Sequence, residues 1–224
     1  MIAVLAVAAL LAGLFAPGPL AAQTFTLRAV VTAGQSAPGG GTFEHFSVES
    51  LPIVAPVNAR GQVAFFASLL RGAGGEGLFL ASGSGIVKVT VEGDPAPGGG
   101  TISGLGRHPV PALNADGTVA FAASVAKGKT VEGIFTASRG GIQAVALAGA
   151  VAPGIASGTF AGFDAPALND RGDVVFIASV RRGRETVEAI YHRSAGRHRS
   201  AAGHRAAGQL TKLVAQGDPA PQAP

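Results

Sequence analysis

Asn58-Ala-Arg-Gly61-Gln-Val63-Ala-Phe65-Phe-Ala67-Ser68 is the stretch on which the fold is read. It returns as Asn114-Ala-Asp-Gly117-Thr-Val119-Ala-Phe121-Ala-Ala123-Ser124 and again as Asn169-Asp-Arg-Gly172-Asp-Val174-Val-Phe176-Ile-Ala178-Ser179. The Asn-to-Asn steps are 56 and 55 residues. A second block keeps the register, because Glu76-Gly77-Leu78-Phe79, Glu132-Gly133-Ile134-Phe135 and Glu188-Ala189-Ile190-Tyr191 step by 56 each time. A third block, Gly-x-x-Ala-Pro, begins at Gly34, Gly93, Gly149 and Gly217, with steps of 59, 56 and 68. The last step is 12 residues longer than the one before it, so the third unit carries an insertion, at about 193 to 208. Self-similarity at a fixed period of this size is the signature of a repeat architecture.

Each block has a physical reading. Asn-x-x-Gly is a tight turn, in which Asn bonds its own backbone and Gly supplies a positive φ. In the strand that follows, Val63, Phe65 and Ala67 point one way and Ala64, Phe66 and Ser68 the other. Both faces are mostly apolar, and the same holds in the other two copies. Such a strand has to be covered on both sides, so each unit's sheet is expected to lie between others. Asn58, Gly61, Phe65, Asn114, Gly117, Phe121, Asn169, Gly172 and Phe176 are therefore the residues expected to carry the repeat structurally.

Within the middle unit the pattern predicts four strands, at about 109 to 113, 118 to 125, 131 to 137 and 141 to 148. The last of these types occurs four times, at about 25 to 32, 85 to 91, 142 to 148 and 209 to 215. The expected fold is all-β and β-propeller-like, with repeated four-stranded antiparallel units, three in number, plus one extra strand. Units at about 34 to 92, 93 to 148 and 149 to 216 make one β-repeat domain over 23 to 224. Closed propellers have about four to eight blades, so three units form an incomplete or open array.

Hydrophobic residues make up 47% of the 224 and charged residues 13%, which excludes a highly charged disordered chain. The absence of Cys removes disulfides, thiolate catalysis and Cys-zinc sites. Residues Ile2 to Phe15 are uninterrupted small or apolar residues, followed by Pro17-Gly-Pro19 and then Leu20-Ala-Ala22. That is the pattern of a signal peptide over 1 to 22, shorter than the roughly 20 apolar residues of a membrane span. A secreted or periplasmic protein with no membrane span after signal cleavage is expected.

The Asn-x-x-Gly-x-Val-Ala-Phe core, joined to Gly-Asp-Pro-Ala-Pro-Gly at the unit boundary, resembles a family of exported bacterial tandem-repeat proteins named for the Asn-x-x-Gly…Phe repeat. The resemblance covers about residues 25 to 221 and implies a propeller-like repeat with no established catalytic activity to carry over.

Candidate chemistry is sparse. Asn114-Ala-Asp116-Gly117 has the oxygen-rich look of a calcium loop, but Arg60 and Arg171 stand at the Asp116 position of the other copies, and no bidentate Glu follows. Glu76, Glu132 and Glu188 form a row of carboxylates that reads either as a shared metal or sugar site or as paired surface positions. Arg171-Gly172-Asp173 spells an adhesion tripeptide, yet Gly172 is simply the turn glycine of its repeat. Gly93-Asp94-Pro-Ala-Pro-Gly-Gly-Gly100 lacks the Lys-Ser/Thr ending of a phosphate loop. His192, His198 and His204 are spaced by six, which suits zinc poorly. Seven Arg and two Glu lie between 181 and 205, so the basic balance of the chain belongs to one segment. Arg193, Arg197, Arg199 and Arg205 are the candidate ligands there for an anionic surface or a polysaccharide. Without aromatic interleaving they offer nothing for sequence-specific nucleic-acid recognition. No cofactor is implied.

These observations favour an exported, non-catalytic repeat scaffold with a structural or ligand- and surface-binding role. A hydrolase on a propeller scaffold is the alternative class, against which stands the lack of a Ser/His/Asp or paired-carboxylate set outside the repeats. The third class is a module that self-associates through its open faces.

Overall fold

Three antiparallel sheets with one shared wiring follow from the three copies. A computed structural model of the chain describes residues 27–46, 54–72, 75–105, 110–196 and 208–220. The first sheet runs β1 (Thr42–Phe43), β2 (Val63–Leu70), β3 (Glu76–Ser82), β4 (Gly85–Val91) in that order. The second has β5 (Thr101–Gly104), β7 (Val119–Ala126), β8 (Glu132–Ser138) and β9 (Gly141–Leu147), with β6 (Ala112–Leu113) also on β7. The third has β10 (Thr159–Phe163), β12 (Val174–Arg182), β13 (Glu185–Arg193) and β14 (Leu210–Ala215), with β11 (Ala167–Leu168) also on β12. All three lie in the compact unit Val31–Pro224. No helix of the described residues is long and apolar enough to cross a membrane.

The register repeats as faithfully as the sequence. Phe65 faces Phe79, Phe121 faces Phe135 and Phe176 faces Tyr191 across the strand pairs, while Ser68, Ser124 and Ser179 face Glu76, Glu132 and Glu188. A bulge falls at the same place in each unit, at Leu78/Phe79, Ile134/Phe135 and Ile190/Tyr191. The fold is all-β, with three antiparallel sheets, the first of four strands and the other two of five, each built on a four-stranded path, and none closes on itself.

Two strands differ from the sequence reading. The outer strand expected at about 109 to 113 is in fact two pieces: β5 pairs with the far half of β7, and β6 with its near half. The cause is the Gly-x-x-Ala-Pro block, which folds straight back on itself. Gly93 N–H donates to the Ile102 carbonyl at 2.8 Å, and Ala96 N–H to that of Gly100 at 3.0 Å, so a strand starts at Thr101. Gly100 has φ +87°, and a Cβ there would lie 2.4 Å from the Ala126 carbonyl oxygen, so only glycine fits. Of the strand expected at about 25 to 32, Leu27–Thr32 form no strand and the rest lies outside the described residues.

The two faces of each sheet have different work. Phe65, Phe121 and Phe176 are buried with their cross-strand rings. Phe43 and Phe46 complete the ring cluster in the first unit, and Phe160 and Phe163 in the third, at centroid distances of 4.9 to 6.3 Å. In the first two units the opposite face packs onto the next unit. Ala64, Phe66 and Leu78 join Ile102, Leu105, Phe121 and Phe135 in one core, and Ala122, Ile134 and Ala146 join Phe160, Phe163, Phe176 and Tyr191 in another.

Candidate functional site

Each Asn-x-x-Gly turn is held by its own asparagine. Asn58 Oδ1 accepts from the backbone N–H of Arg60 and of Gln62, both at 3.0 Å. Asn114 Oδ1 accepts from Asp116 at 3.1 Å and Thr118 at 2.9 Å, and Asn169 Oδ1 from Arg171 at 3.0 Å and Asp173 at 2.9 Å. This is the local side-chain-to-backbone bonding for which Asn is favoured in turns.

The amide nitrogens reach further. Asn58 Nδ2 donates to the Asn114 carbonyl at 2.8 Å, and Asn114 Nδ2 donates to the Asn169 carbonyl at 3.2 Å. The turns of all three units are thereby joined into a ladder. Asn169 directs its own Nδ2 to Asp173 Oδ2 at 2.9 Å. That carboxylate also accepts from the Ala195 N–H and from Arg171 Nε, each at 3.0 Å. Asn169 foremost, then Ala195 and Arg171, hold the Asp173 carboxyl down to a pKa of about 2. Other side chains add rungs between units. Asp170 Oδ1 accepts from the Ala115 N–H at 2.8 Å, Arg60 lies 3.5 Å from Asp116, and Glu76 Oε2 accepts from the Leu105 N–H at 3.2 Å.

Between the first two units, beside this ladder, opens a cleft of about 470 Å³. Leu80, Val89 and Ile142 give it apolar walls, Gln62, Ser82, Thr118, Ser138, Lys88 and Arg139 give it amide, hydroxyl and cationic groups, and Asp116 gives it a carboxylate. Lys88 is held 2.9 Å from Asp94, whereas the Arg139 side chain is exposed at the tip of the β8–β9 hairpin. The equivalent cleft between the second and third units measures only about 110 Å³. Arg193 crosses it, donating from Nη1 to the Ala144 carbonyl at 3.2 Å and from Nε to that of Gly208 at 3.1 Å.

A protein-family model described as the family of unknown function DUF7453 matches residues 23–223. The chain belongs to that family. Nothing among the curated proteins or the solved structures matches it.

The matched DUF7453 span takes in all three units, and within it the residues singled out by sequence fall into distinct groups. Of the four candidate arginines, Arg193 is half-buried and bonded to two carbonyls, while Arg197, Arg199 and Arg205 lie outside the described residues. The insertion occupies the β13–β14 connection, where the other units use the two-residue turns Gly83-Ser84 and Arg139-Gly140. Its base is closed by the Ser194 N–H on the Gln209 carbonyl at 3.1 Å and the Gln209 N–H on Ser194 Oγ at 3.0 Å. Of the carboxylate row, Glu76 and Glu132 are partly or fully buried between units, and Glu188 is exposed. The Asn ladder and the cleft were not anticipated. Their only trace in the sequence is that the turn asparagine recurs in all three copies, including at the otherwise variable turns.

Proposed function

We propose that this DUF7453 chain is an exported, non-catalytic scaffold of the Asn-x-x-Gly…Phe repeat type, which works through its surface. The observation that carries the reading is the ladder: in the first two units the recurring turn asparagine is spent on joining one unit to the next. Asn58, Asn114, Asp170 and Glu76 all bond backbone groups of a neighbouring unit. A scaffold needs such stitching, and a reaction centre needs polar groups left to act on substrate. Export is supported by the apolar N-terminal run and by the family match beginning at Gln23, the residue after the expected cleavage point.

The cleft between the first two units is the surface of choice for a ligand. Its hydroxyl and amide groups and the exposed Arg139, beside the Asp116 carboxylate that Arg60 faces at 3.5 Å, suit an acidic polysaccharide, whose carboxylates would meet Arg139 and whose hydroxyls would meet Ser82, Ser138 and Thr118. The test is isothermal titration of the chain with polygalacturonate, with dextran as the neutral control. Salt-sensitive binding of polygalacturonate that Arg139→Ala weakens several-fold is expected. Equal binding of dextran would refute the ligand class, and release of new reducing ends would refute the non-catalytic reading.

A further inference from the structure

Among the described residues, one sheet face is built as the interfaces inside the chain are and is left open. In the first unit, Phe66 and Leu78 are 0% exposed beneath the second unit, and in the second, Ala122 is 4% and Ile134 0% exposed beneath the third. The residues at the same register in the third unit are Ile177 and Ile190, and there Ile177 is 41% exposed, with Val214 beside Ile190 at 43%. Glu188 is likewise exposed at the position where Glu76 accepts a backbone bond from the following unit.

We propose that this face is the docking surface for a second copy of the chain, bound through the same face, third sheet to third sheet. Continuity with the two interfaces inside the chain argues that the face is made to be covered. What covers it follows from the other end of the array. The ring face of the first unit is already closed, with Phe43, Phe65 and Phe79 at 1, 4 and 0% exposure, so a head-to-tail stack finds no open counterpart. The third-sheet face is complementary to itself. Ile177, Ile190 and Val214 form its apolar centre, and the exposed Arg181 and Glu188 stand on the same face, on neighbouring strands. A two-fold axis lying between the paired faces and running along the strands would bring Arg181 of each copy towards Glu188 of the other, giving the apolar core and charged rim of an isologous interface.

Light scattering on the purified full chain tests this, together with Ile177→Glu and single-cysteine variants, which are clean reporters because the chain has no Cys of its own. The expected result is a dimer that dissociates on dilution, with Ile177→Glu weakening association about 100-fold, or about 2.7 kcal/mol, and with the same melting temperature for both proteins once they are dilute enough to be monomeric. Ser179→Cys should give disulfide-linked dimers on mild oxidation, and Arg60→Cys in the first unit should not. A monomer at all concentrations overturns the proposal. So do open-ended polymers, which report head-to-tail stacking, dimers that survive Ile177→Glu, and cross-links through Arg60→Cys instead of Ser179→Cys.

Discussion

Replacing Asn114 by alanine removes three hydrogen bonds at once: two that hold its own turn, from the Asp116 and Thr118 N–H groups, and the one that reaches the Asn169 carbonyl in the next unit. Asn114 is 3% exposed, so water cannot readily replace the lost partners. At about 1 kcal/mol per bond, and more for a buried group left unpaired, the variant should lose about 3 kcal/mol. Asn169→Ala is the matched control. It removes two turn bonds of the same kind, but its amide bonds Asp173 within the same turn, and the residue is exposed, so about 1 kcal/mol is expected. The difference of about 2 kcal/mol belongs to the rung between units and to burial, and it corresponds to roughly 4 to 8 °C in melting temperature for a chain of this size. Urea unfolding followed by far-UV circular dichroism reads it as a shift in midpoint at constant slope. Losses for the two variants that agree within about 0.5 kcal/mol would show that the asparagines are turn residues only, and the ladder would carry no stability.

Three further outcomes are expected. Gly133→Ala should cost about 1 to 3 kcal/mol by thermal melting, because its Cβ would lie 2.7 Å from Leu147 Cδ2 and 2.8 Å from Phe135 Cζ; an unchanged melting temperature would refute this packing. Asp173 has a carboxyl pKa of about 2 against 3.8 unperturbed, so its contribution to stability is present above pH 4 and is lost as pH falls through 2. Asp173→Asn should therefore flatten the acid limb of the stability profile between those values, and a limb of unchanged steepness would count against it. Replacing 196–207 with a two-residue turn should leave thermal stability nearly unchanged, whereas Arg193→Ala should lower it by about 1 to 2 kcal/mol, since two carbonyls lose their donor; the opposite ranking would make the insertion integral to the fold.

Strands with a strong apolar pattern were legible in the sequence to within two residues, as Val119–Ala126 and Glu132–Ser138 show. The outer strands β1, β5 and β10 were not. They follow Gly-rich blocks that read as turns, and what makes Thr101 or Thr159 a strand is a pairing with residues more than twenty positions away. The candidate site divides in the same way. That Asn58, Asn114 and Asn169 make turns is a local property, visible in the Asn-x-x-Gly spacing. That their amides join neighbouring units is a contact across 55 or 56 residues, to which no local pattern points. Arg193 shows the opposite error of scale. Counted with its neighbours it belongs to a basic segment, yet its position on β13 ties it to the second unit through the Ala144 carbonyl.

The ladder also bears on how such a chain can change length. Its donor and its acceptor both belong to the turn asparagine, so the second unit offers to its successor what it takes from its predecessor. A duplicated segment of one period would meet the same amide on one side and the same carbonyl on the other. Its rings would meet the same apolar face, and no compensating substitution would be needed at either seam. Gene duplication can therefore lengthen this architecture one repeat at a time without an intermediate that leaves a backbone group orphaned. A deletion or insertion of half a period would break both the ladder and the ring packing together.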